Sequence, residues 1–447
     1  MRCDARKPIT GAIPCNARIR PFDATEDRIM TAADTETGRR KLAWARAHMP
    51  IHARLRERFA GERPFAGLTL AICSHVEAKT GVFIETAAAG GAEVAFTGSE
   101  PMTSQDDVIA ALNEQPGITG YMQRGADAST FEGFHRQVIE HGPHFILDDA
   151  AELTARLVSE RPELAANLLG TCEQTTSGVQ RLTAMAEEGR LTFPAYAVND
   201  TPMKHHFDTV HGTGESTLTN LTLVTNLLLA GKTVVIAGFG YCGRGLAEKA
   251  QGWNANVIVT EVDPRRALEA HMAGFRVMPM ADAARLGDCF ITATGNREVL
   301  RPEHFEQMPD GAVVANAGHF DIEIDTAGLS ELATDHDEVR PGINAYRLDD
   351  GRSIYMIAQG HLVNLAAPTS MGHPAEVMDQ TFGTQLMAAR DLLARRDELA
   401  PAVYPVPDNV DREVAEIKLD TLGVTIDGLT QRQRALASAW RYEEIKD

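Results

Sequence analysis

The 447-residue chain has little of what builds disulfide frameworks, metal clusters or membrane spans. Its six cysteines lie apart without a Cys-x-x-Cys pair, which argues against disulfides or a zinc site and favours reduced, inert thiols. No apolar run approaches the ~18 residues that a membrane span needs, and we expect no signal peptide. The sequence therefore predicts a cytoplasmic protein that holds no metal.

Positive charge is also scarce, with 43 Lys and Arg against 62 Asp and Glu and a formal net charge of −19. This balance argues against nucleic acid or an anionic membrane as a partner. Internal repeats and low-complexity segments are absent from the sequence. Over the whole chain, 44% of the residues are hydrophobic and 23% are charged, which is an ordinary globular composition. The chain is long enough for two or three domains.

The most informative stretch is residues 231–263, GKTVVIAGFGYCGRGLAEKAQGWNANVIVTEVD. TVVIAG predicts a buried parallel strand, GRGLAEKAQGW a helix and NVIVTEVD a second strand. Between strand and helix, Gly238 permits a tight turn, Gly240 lets a pyrophosphate approach the backbone, and Gly243 lets the helix pack closely. Glu261 ends the second strand, where a carboxylate suits the adenosine ribose of NAD. We expect this stretch to bind NAD.

Elsewhere short apolar strands alternate with amphipathic helices, so the expected fold class is α/β with two doubly wound Rossmann-like domains. We expect long helices over 215–230 and 376–396. The NAD domain is expected to be inserted in a substrate domain whose pattern resumes after it, with a small C-terminal tail. The predicted boundaries are an N-terminal arm 1–35, substrate domain 36–214, NAD domain 215–372, substrate domain 373–420 and tail 421–447.

Polar residues gather where predicted strands end, the edge at which open α/β sheets bind ligands. They include His75 after LTLAIC, Asp149 after HFIL, Lys204 and Asp208 beyond PAYAV, and His319 after AVVA. Each has a structural alternative, since His75 or Asp149 can cap a helix and Lys204–Asp208 can be a surface pair. Their joint occurrence at strand ends favours one small-molecule site.

Several motifs resemble those of a known family: SHVEAKT, SQDDVIAAL, NDTPMKHHFD, GFGYCGRG, NAGHFDIEID, LVNLAA and MGHP. With them, nearly the whole chain beyond about residue 35 resembles S-adenosyl-L-homocysteine hydrolase, in a divergent form similar to its archaeal-type branch. The resemblance implies bound NAD, a nucleoside substrate and a homotetramer. It implies transient oxidation of the 3′-OH, removal of the 4′ proton, loss of the 5′ substituent and re-reduction.

The resemblance also implies roles for residues at matching positions. Lys204 and Asp208 are expected to serve the 3′-OH, and His75, Asp149 and His319 the 4′ proton and the 5′ leaving group. The expected substrate contacts are Glu77, Lys79, Thr80, Gln174, His361, Met371 and His373. The expected cofactor contacts are Thr175, Thr176, Ser177, Thr209, Gly238, Gly240, Gly243, Glu261, Asn296, Asn316 and Asn364.

Some positions depart from the family pattern. Gln174 stands where the family has a glutamate that accepts from the ribose hydroxyls, so an anionic acceptor has become a neutral amide. Thr209 replaces an asparagine, His361 replaces the arginine of GRLVNL, and the loop before Gly372 is about two residues longer. Because buried polar contacts discriminate strongly between related substrates, these changes suggest a different nucleoside or 5′ leaving group.

Three functions are consistent with these residues. The first expectation is a nucleoside dehydratase that stops after elimination of water from C5′ and leaves an exocyclic alkene, as nucleoside-antibiotic pathways of the angustmycin kind require. The alternative is an ordinary adenosylhomocysteinase with tolerated substitutions. A non-catalytic NAD-binding regulator is a third, which retention of His75, Asp149, Lys204, Asp208 and His319 disfavours. Adenine and hypoxanthine both remain open as the base at Glu77 and Lys79.

Overall fold

The computed structural model describes residues 32–436 and residue 440. The strands are β1 Thr69–Cys73, β2 Glu93–Thr97, β3 Ile118–Gly120, β4 Phe145–Asp148, β5 Gly170–Glu173, β6 Ala195–Ala197, β7 Thr233–Ala237, β8 Asn256–Thr260, β9 Arg276–Val277, β10 Cys289–Thr292, β11 Val313–Asn316, β12 Ala333–Arg340, β13 Ile343–Leu348, β14 Ser353–Ile357 and β15 Val403–Pro405. The α-helices are α1 Ala32–Ala47, α2 Pro50–Glu62, α3 Ala78–Ala89, α4 Asp106–Asn113, α5 Ala128–Glu140, α6 Glu152–Glu160, α7 Pro162–Ala165, α8 Thr176–Glu187, α9 Thr213–Thr225, α10 Tyr241–Gly252, α11 Pro264–Met272, α12 Met280–Ala283, α13 Pro302–Phe305, α14 Thr326–Leu332, α15 Ala375–Arg395, α16 Asp408–Thr421 and α17 Gln431–Leu436. Short 3₁₀ turns span Val198–Asp200, Ala358–Gly360 and Arg396–Glu398, and Lys204–Gly212 is a π-helix.

The first sheet is seven-stranded and parallel, in the order β15-β6-β5-β4-β1-β2-β3. Leu70 and Ile72 of β1 pack into one apolar cluster, and Ala71 and Cys73 pack into another on the opposite face. A strand buried on both faces needs apolar side chains in both directions, which explains the unbroken run LTLAIC. We call the part of the chain built on this sheet the seven-stranded half.

The second sheet has the order β12-β13-β14-β11-β10-β7-β8-β9. Its strands from β14 to β9 are parallel, whereas β12 and β13 form an antiparallel extension. Strand β7 again packs on both faces, with Val234 and Ile236 in one cluster and Val235 in another. The doubly wound α/β class expected from the sequence is thus confirmed. We call this part the eight-stranded half.

The chain passes between the halves twice. It leaves the seven-stranded half after β6 through the π-helix and α9, and it returns through the loop before α15. Strand β15 then pairs with β6 of the first sheet. The two crossings are neighbours, because the side-chain amide of Asn364 donates to the Ser216 hydroxyl at 3.0 Å. We propose that the two halves are the substrate and NAD domains expected from the sequence.

Several local expectations need correction. The helix expected over 215–230 is α9, which begins at Thr213 and ends at Thr225 because Asn226 takes a left-handed conformation with φ 55°. Helix α1 already begins at Ala32, so the last residues of the predicted arm 1–35 are helical and its other residues lie outside the described part.

The described residues hold no helix that is both long and apolar enough to cross a membrane. The described cysteines, Cys73, Cys172, Cys242 and Cys289, are all free. Burial raises the pKa of the Cys172 thiol well above its ordinary value, which favours the unreactive thiol form expected from the sequence. Cys3 and Cys15 lie outside the described residues.

Candidate active site

A cavity of about 1130 Å³ lies between the two halves, at the carboxyl ends of their strands. In each sheet the strand order changes direction, between β1 and β4 in one and between β7 and β10 in the other, and open α/β sheets bind ligands at such points. The cavity is lined by all five predicted catalytic residues, His75, Asp149, Lys204, Asp208 and His319. The first two follow β1 and β4, whereas His319 comes from the eight-stranded half.

His75, Asp149 and His319 form the first polar group in the cavity. The Nε2 atom of His75 lies 3.6 Å from Asp149 Oδ2, and the Nδ1 atom of His319 lies 3.7 Å from Asp149 Oδ1. On its other side, His75 Nδ1 is 2.8 Å from the Thr103 hydroxyl. Burial lowers the pKa of His75, which favours the neutral imidazole. Two imidazoles and a carboxylate at these distances can pass a proton from one to another.

Asp149 is positioned by a left-handed turn. The next residues, Ala150 and Ala151, have φ 63° and 53°, a conformation that costs a non-glycine residue about 1–2 kcal/mol. Their backbone N–H groups donate to the Glu173 carboxyl at 3.1 and 2.8 Å. Burial, followed by the charges of Asp148 and Asp149, raises the pKa of Glu173 to about 8. Glu173 therefore fixes the turn that presents Asp149 to the cavity.

The second polar group surrounds Asp208 on the π-helix, a rare element that often marks functional sites. Its carboxylate accepts from Lys204 Nζ, from the His373 ring and, at 2.9 Å, from the Thr381 hydroxyl. Burial opposes ionisation of Asp208, but the charges of Lys204 and His373 outweigh it and hold the carboxyl pKa below its ordinary value. Asp208 is a fixed anion that orients Lys204 and His373.

Gln174 also lines the cavity and is 5% exposed. Its amide nitrogen is 3.3 Å from the Ser74 hydroxyl, and its carbonyl oxygen has no hydrogen-bond partner among the described residues. That oxygen is a free acceptor on a residue lining the cavity. A substrate hydroxyl can donate a hydrogen bond to this oxygen. That bond is weaker than one to the carboxylate that the family has at this position.

The glycine turn after β7 has the conformation that the fingerprint predicts. Gly238 has φ 96°, and a side chain at Gly243 would collide with the Gly238 carbonyl, only 1.9 Å from an added Cβ. At Gly240 an added Cβ would meet only Arg266, 3.8 Å away, so the helix N-terminus is open to an anion. The Glu261 carboxylate accepts from the backbone N–H of Phe239 at 2.7 Å. These features fit the pyrophosphate and ribose of NAD.

Other predicted cofactor contacts also line the cavity: Thr175, Thr176, Ser177, Thr209, Glu261, Asn296 and Asn364. Asn364 is 2% exposed, and its carbonyl oxygen has no partner among the described residues. Thr175 caps α8 and accepts from the Gly178 N–H at 3.0 Å. The unpaired acceptor of Asn364 suits an amide donor such as that of nicotinamide.

Some predicted site residues do not line this cavity. Asn316 is fully buried and holds the following loop through bonds to Gly318, Phe320 and Gly360. His361 Nδ1 instead faces Glu100, 3.1 Å away. Gly243, Lys79 and Met371 also lie off the cavity wall, whereas Glu77, Thr80 and His373 are on it. Lys79 supports the wall by bonding to the Glu77 carboxylate at 2.8 Å and to the Met371 carbonyl at 2.7 Å.

Sequence reasoning missed several residues of the site. Thr381 on α15 reaches Asp208 although 173 residues separate them, and Met378 and Phe382 from the same helix line the cavity. Ser99 and Thr103 contact Asp149 and His75 from the loop after β2. The amphipathic pattern of α15 predicts a helix, but it does not say which polar residue faces a distant carboxylate.

The parallel sheets and the glycine turn define a Rossmann-like, NAD-binding protein. Family models described as S-adenosyl-L-homocysteine hydrolase match residues 27–163 and, for its NAD-binding domain, residues 209–370. An adenosylhomocysteinase of Haloquadratum walsbyi is 52% identical over 429 residues, covering 96% of this chain and 98% of that protein. The chain belongs to the S-adenosyl-L-homocysteine hydrolase family and is an NAD-dependent enzyme of it.

Other relatives include an adenosylhomocysteinase of Halobacterium salinarum, 52% identical over 91% of this chain and 95% of that protein. The S-inosyl-L-homocysteine hydrolase of Methanopyrus kandleri is 49% identical over 90% of this chain and 95% of that protein. Among solved structures, a dipicolinate synthase of Bacillus halodurans has a TM-score of 0.40 and 14% identity, covering 74% of this chain and 98% of that one. The family assignment rests on the sequence relatives.

Proposed function

We propose that this enzyme hydrolyses S-adenosyl-L-homocysteine to adenosine and L-homocysteine by transient oxidation of the 3′-OH. The observation that carries the proposal is that two polar groups, one around Asp208 and one around Asp149, line a single cavity beside the NAD-binding turn. The mechanism implied by the family needs one group for the 3′-OH and another for the 4′ proton and 5′ substituent. The names of the sequence relatives support the same reaction.

At the 3′ position, Lys204 is the residue that handles the hydroxyl proton. Asp208 holds its Nζ in place and is itself fixed by His373 and Thr381. In the proposed cycle Lys204 takes the hydroxyl proton when the 3′ carbon is oxidised and returns it when that carbon is reduced again. When bound, NAD supplies reversible hydride transfer at the adjacent carbon.

At the 4′ and 5′ positions, the group around Asp149 moves the protons. The Asp149 oxygen that faces His319 has no hydrogen-bond partner among the described residues, so it is available to accept the acidified 4′ proton. Neutral His75, whose Nδ1 is held by Thr103, offers Nε2 towards the same carboxylate. In the proposed cycle His75 receives the 4′ proton from Asp149, donates it as an imidazolium to the leaving sulfur and then, neutral again, deprotonates the incoming water.

The elimination-only dehydratase expected from the sequence finds no support among these relatives, which are named as hydrolases of S-adenosyl- or S-inosylhomocysteine. Of the four departures on which it was based, His361 lies off the cavity wall and pairs with Glu100. Gln174 does line the cavity, but its free carbonyl oxygen still offers an acceptor to a ribose hydroxyl. Hydrolysis is therefore the better-supported reaction.

The base specificity is proposed as adenine. Glu77 lines the cavity, and its carboxylate bonds both to Lys79 Nζ and to the Lys79 backbone N–H, at 2.8 and 2.9 Å. A carboxylate held in this way can accept from an exocyclic amino group, which adenine has and hypoxanthine lacks. S-inosylhomocysteine is the matched competitor, because one relative carries that name.

The decisive experiment measures free thiol released from S-adenosylhomocysteine by the purified, NAD-loaded enzyme, with S-inosylhomocysteine and free adenosine in parallel. We expect rapid release of homocysteine from the adenosyl substrate and slower release from the inosyl one. Loss of 18 mass units from a nucleoside, without any thiol, would instead establish the dehydratase. NAD retention without turnover of any substrate would favour the regulatory alternative.

A further inference from the structure

Helix α15 reaches both polar groups of the active site from neighbouring turns. The Thr381 hydroxyl donates to Asp208 Oδ2 at 2.9 Å. Four residues further on, the amide nitrogen of Gln385 donates to the backbone carbonyls of Asp148 and Cys172 at 3.2 and 3.0 Å. Residues four apart lie on the same face of a helix, about 6 Å from each other along its axis. One buried face of α15 therefore contacts both groups.

The bond from Gln385 to Asp148 bears on the direction of the Asp149 side chain. The carbonyl that accepts this bond belongs to the planar peptide unit that links Asp148 to Asp149. The N–H of the same peptide unit donates to Asp148 Oδ1 at 3.0 Å. Hydrogen bonds at both edges fix the rotation of the unit. They consequently fix the direction in which the next side chain, that of Asp149, leaves the backbone.

The bond from Gln385 to Cys172 extends the same support to the neighbouring strand. Strands β4 and β5 run parallel, with Asp148 opposite Glu173. Cys172 directly precedes Glu173, which holds the turn after Asp148, and Gln174, which lines the cavity. A single side-chain amide thus ties the carboxyl ends of both strands to α15.

The chemistry of the Gln385 amide indicates that the residue serves these two bonds and not packing alone. Its carbonyl oxygen has no hydrogen-bond partner among the described residues, although the residue is 1% exposed. An unpaired buried acceptor costs free energy that an apolar side chain of the same length would avoid. The amide cannot be turned round either, because its oxygen would then face two carbonyl oxygens.

Helix α15 is itself held by two other helices. The buried Asp379 carboxylate accepts from the backbone N–H groups of Ile51 and His52 in the first turn of α2, at 2.9 and 3.0 Å. Phe382 stacks on Phe83 of α3, with ring centroids 4.5 Å apart. The contacts that α15 makes with the active site therefore start from a fixed position.

We propose that α15 sets the distance between the two proton-transferring groups, with Gln385 positioning Asp149 as Thr381 positions Asp208. The inference rests on the proposed function, in which one group serves the 3′-OH and the other the 4′ proton. Adjacent carbons of one ring carry these two sites, so both groups must be in place for a single bound nucleoside. Gln385 does not line the cavity and acts only through Asp149.

The test uses adenosine in D₂O with the NAD-loaded enzyme and measures the two half-steps separately. The absorbance of reduced cofactor reports oxidation at the 3′ carbon. Mass spectrometry reports deuterium at C4′. Deuterium enters when a proton leaves C4′ for Asp149, its electron pair stays on the carbon, and a deuteron derived from the solvent takes its place.

Gln385→Met keeps the length of the side chain and removes both donors. We expect this variant to reduce its cofactor normally and to exchange at C4′ about 10²-fold more slowly, the effect of a displacement of about 1 Å at a reacting group. Thiol release from S-adenosylhomocysteine should slow to the same extent, because loss of the 5′ substituent follows removal of the 4′ proton.

Two further variants on α15 complete the comparison. Thr381→Val removes the hydroxyl that holds Asp208, so cofactor reduction itself should slow about 10-fold, while the ratio of exchange to reduction stays that of the unaltered enzyme. Gln380→Met is the matched control, because Gln380 is 7% exposed and its amide donates within the helix, to the Glu376 carbonyl at 3.1 Å. The control should behave as the unaltered enzyme in both measurements.

Equal slowing of reduction and exchange in Gln385→Met would overturn the inference, since it would reveal a general loss of structure and not a displaced Asp149. Normal exchange in that variant would overturn it as well. Normal cofactor reduction in the same sample shows that the variant is folded. Absence of both signals from the unaltered enzyme is a different outcome, which would refute the proposed function and this inference with it.

Discussion

Two buried carboxyl groups in the active site differ in charge state because their neighbours differ. Burial acts on both, yet Asp208 has Lys204 and His373 beside it, whereas Glu173 has the negative charges of Asp148 and Asp149. The pKa is consequently lowered at Asp208 and raised to about 8 at Glu173. The first group serves as a permanent anion, and the second acts mainly through the backbone turn that it holds.

Lys204→Met should abolish oxidation of the nucleoside, because it removes the amine proposed to take the 3′ proton. We expect turnover to fall at least 10²–10⁴-fold, the usual contribution of general acid–base catalysis. The measurement is the absorbance of reduced cofactor after adenosine is added to the NAD-loaded enzyme. Lys249→Met removes a surface lysine paired with Glu215 and should reduce its cofactor normally. Full reduction in Lys204→Met would refute the assigned role.

Gln174→Glu should raise kcat/KM for S-adenosylhomocysteine about 5-fold. A carboxylate accepts a hydroxyl hydrogen bond about twice as strongly as a neutral amide, a gain of about 1 kcal/mol. Steady-state thiol release measures the effect, and Gln174→Ala should fall below the unaltered enzyme. No gain in the glutamate variant would mean that this position does not limit recognition of the ribose.

His361 should make stability depend on pH. The Glu100 carboxylate raises the pKa of His361 above its ordinary value of 6.5, and Asp321 lies 4.0 Å away. A raised folded-state pKa means that the pair stabilises fully below about pH 6.5 and that its contribution is lost as pH rises through the folded value. His361→Gln should therefore cost up to about 1 kcal/mol near pH 5.5 and little near pH 9.

The check is a pair of thermal melts for each variant, compared at the two pH values. His361→Arg is the matched control, since it restores the family's residue with a charge that does not titrate in this range. It should be as stable as the unaltered enzyme near pH 5.5 and more stable near pH 9. An equal loss in His361→Gln at both pH values would show that the contact with Glu100 contributes no titrating charge.

At the scale of single elements, helix α8 and the turn before α6 depend on one hydroxyl. Thr175 caps α8 by accepting from the Gly178 N–H at 3.0 Å, and it also accepts from the Ala150 N–H of the left-handed turn at 2.9 Å. The same hydroxyl donates to Glu173 at 2.7 Å. A change at Thr175 is thus transmitted to Asp149.

Thr175→Ala should destabilise the enzyme by about 1–2 kcal/mol, the cost of losing a helix cap. Thr175→Ser keeps the hydroxyl and should lose much less. Thr183→Ala, an exposed position on the same helix, should stay within about 0.5 kcal/mol. Midpoints of denaturant unfolding compare the three variants. If Thr175→Ala and Thr183→Ala have the same denaturant midpoint, the cap is not a stabilising contact.

The sequence predicts those elements whose signals are local. The structure confirms the strands predicted from the apolar runs of β1 and β7. It also confirms the turn predicted from the spacing of the NAD-site glycines, at two of which a side chain would not fit. The π-helix and the left-handed residues Ala150 and Ala151 could not be predicted. Alanine normally avoids positive φ, and the turn is held by Glu173 and Thr175, which are distant in the sequence. The hairpin of β12 and β13 was not predicted because β12, which is largely exposed, lacks a clear alternation of apolar and polar residues.

At the scale of the whole molecule, contacts between the halves set the shape of the cavity. Arg124, from the seven-stranded half, donates to the Ala366 carbonyl at 2.7 Å in the returning loop. Its guanidinium also lies 3.4 Å from the Ser104 carbonyl. This side chain therefore ties the loop that leads to His373 to the opposite half.

Arg124→Ala should raise KM for S-adenosylhomocysteine about 10-fold or more, because a hydrogen bond from a charged group contributes about 1.5–3 kcal/mol. NAD retention should change little, since Arg124 does not line the cavity beside the glycine turn. Steady-state kinetics and fluorescence of bound cofactor separate the two effects. Arg136→Ala, which removes a surface arginine on α5, is the control expected to behave normally. An unchanged KM would mean that the loop is held by other contacts.

The neighbouring crossings at Ser216 and Asn364 have an evolutionary consequence. A segment whose two ends lie side by side can be added to or removed from a host fold by a short splice, since little chain entropy is lost in joining them. The eight-stranded half is thus connected to the rest of the chain in the way that an inserted domain is. Recombination could exchange it for another dinucleotide-binding module while the host sheet keeps its own strand pairing.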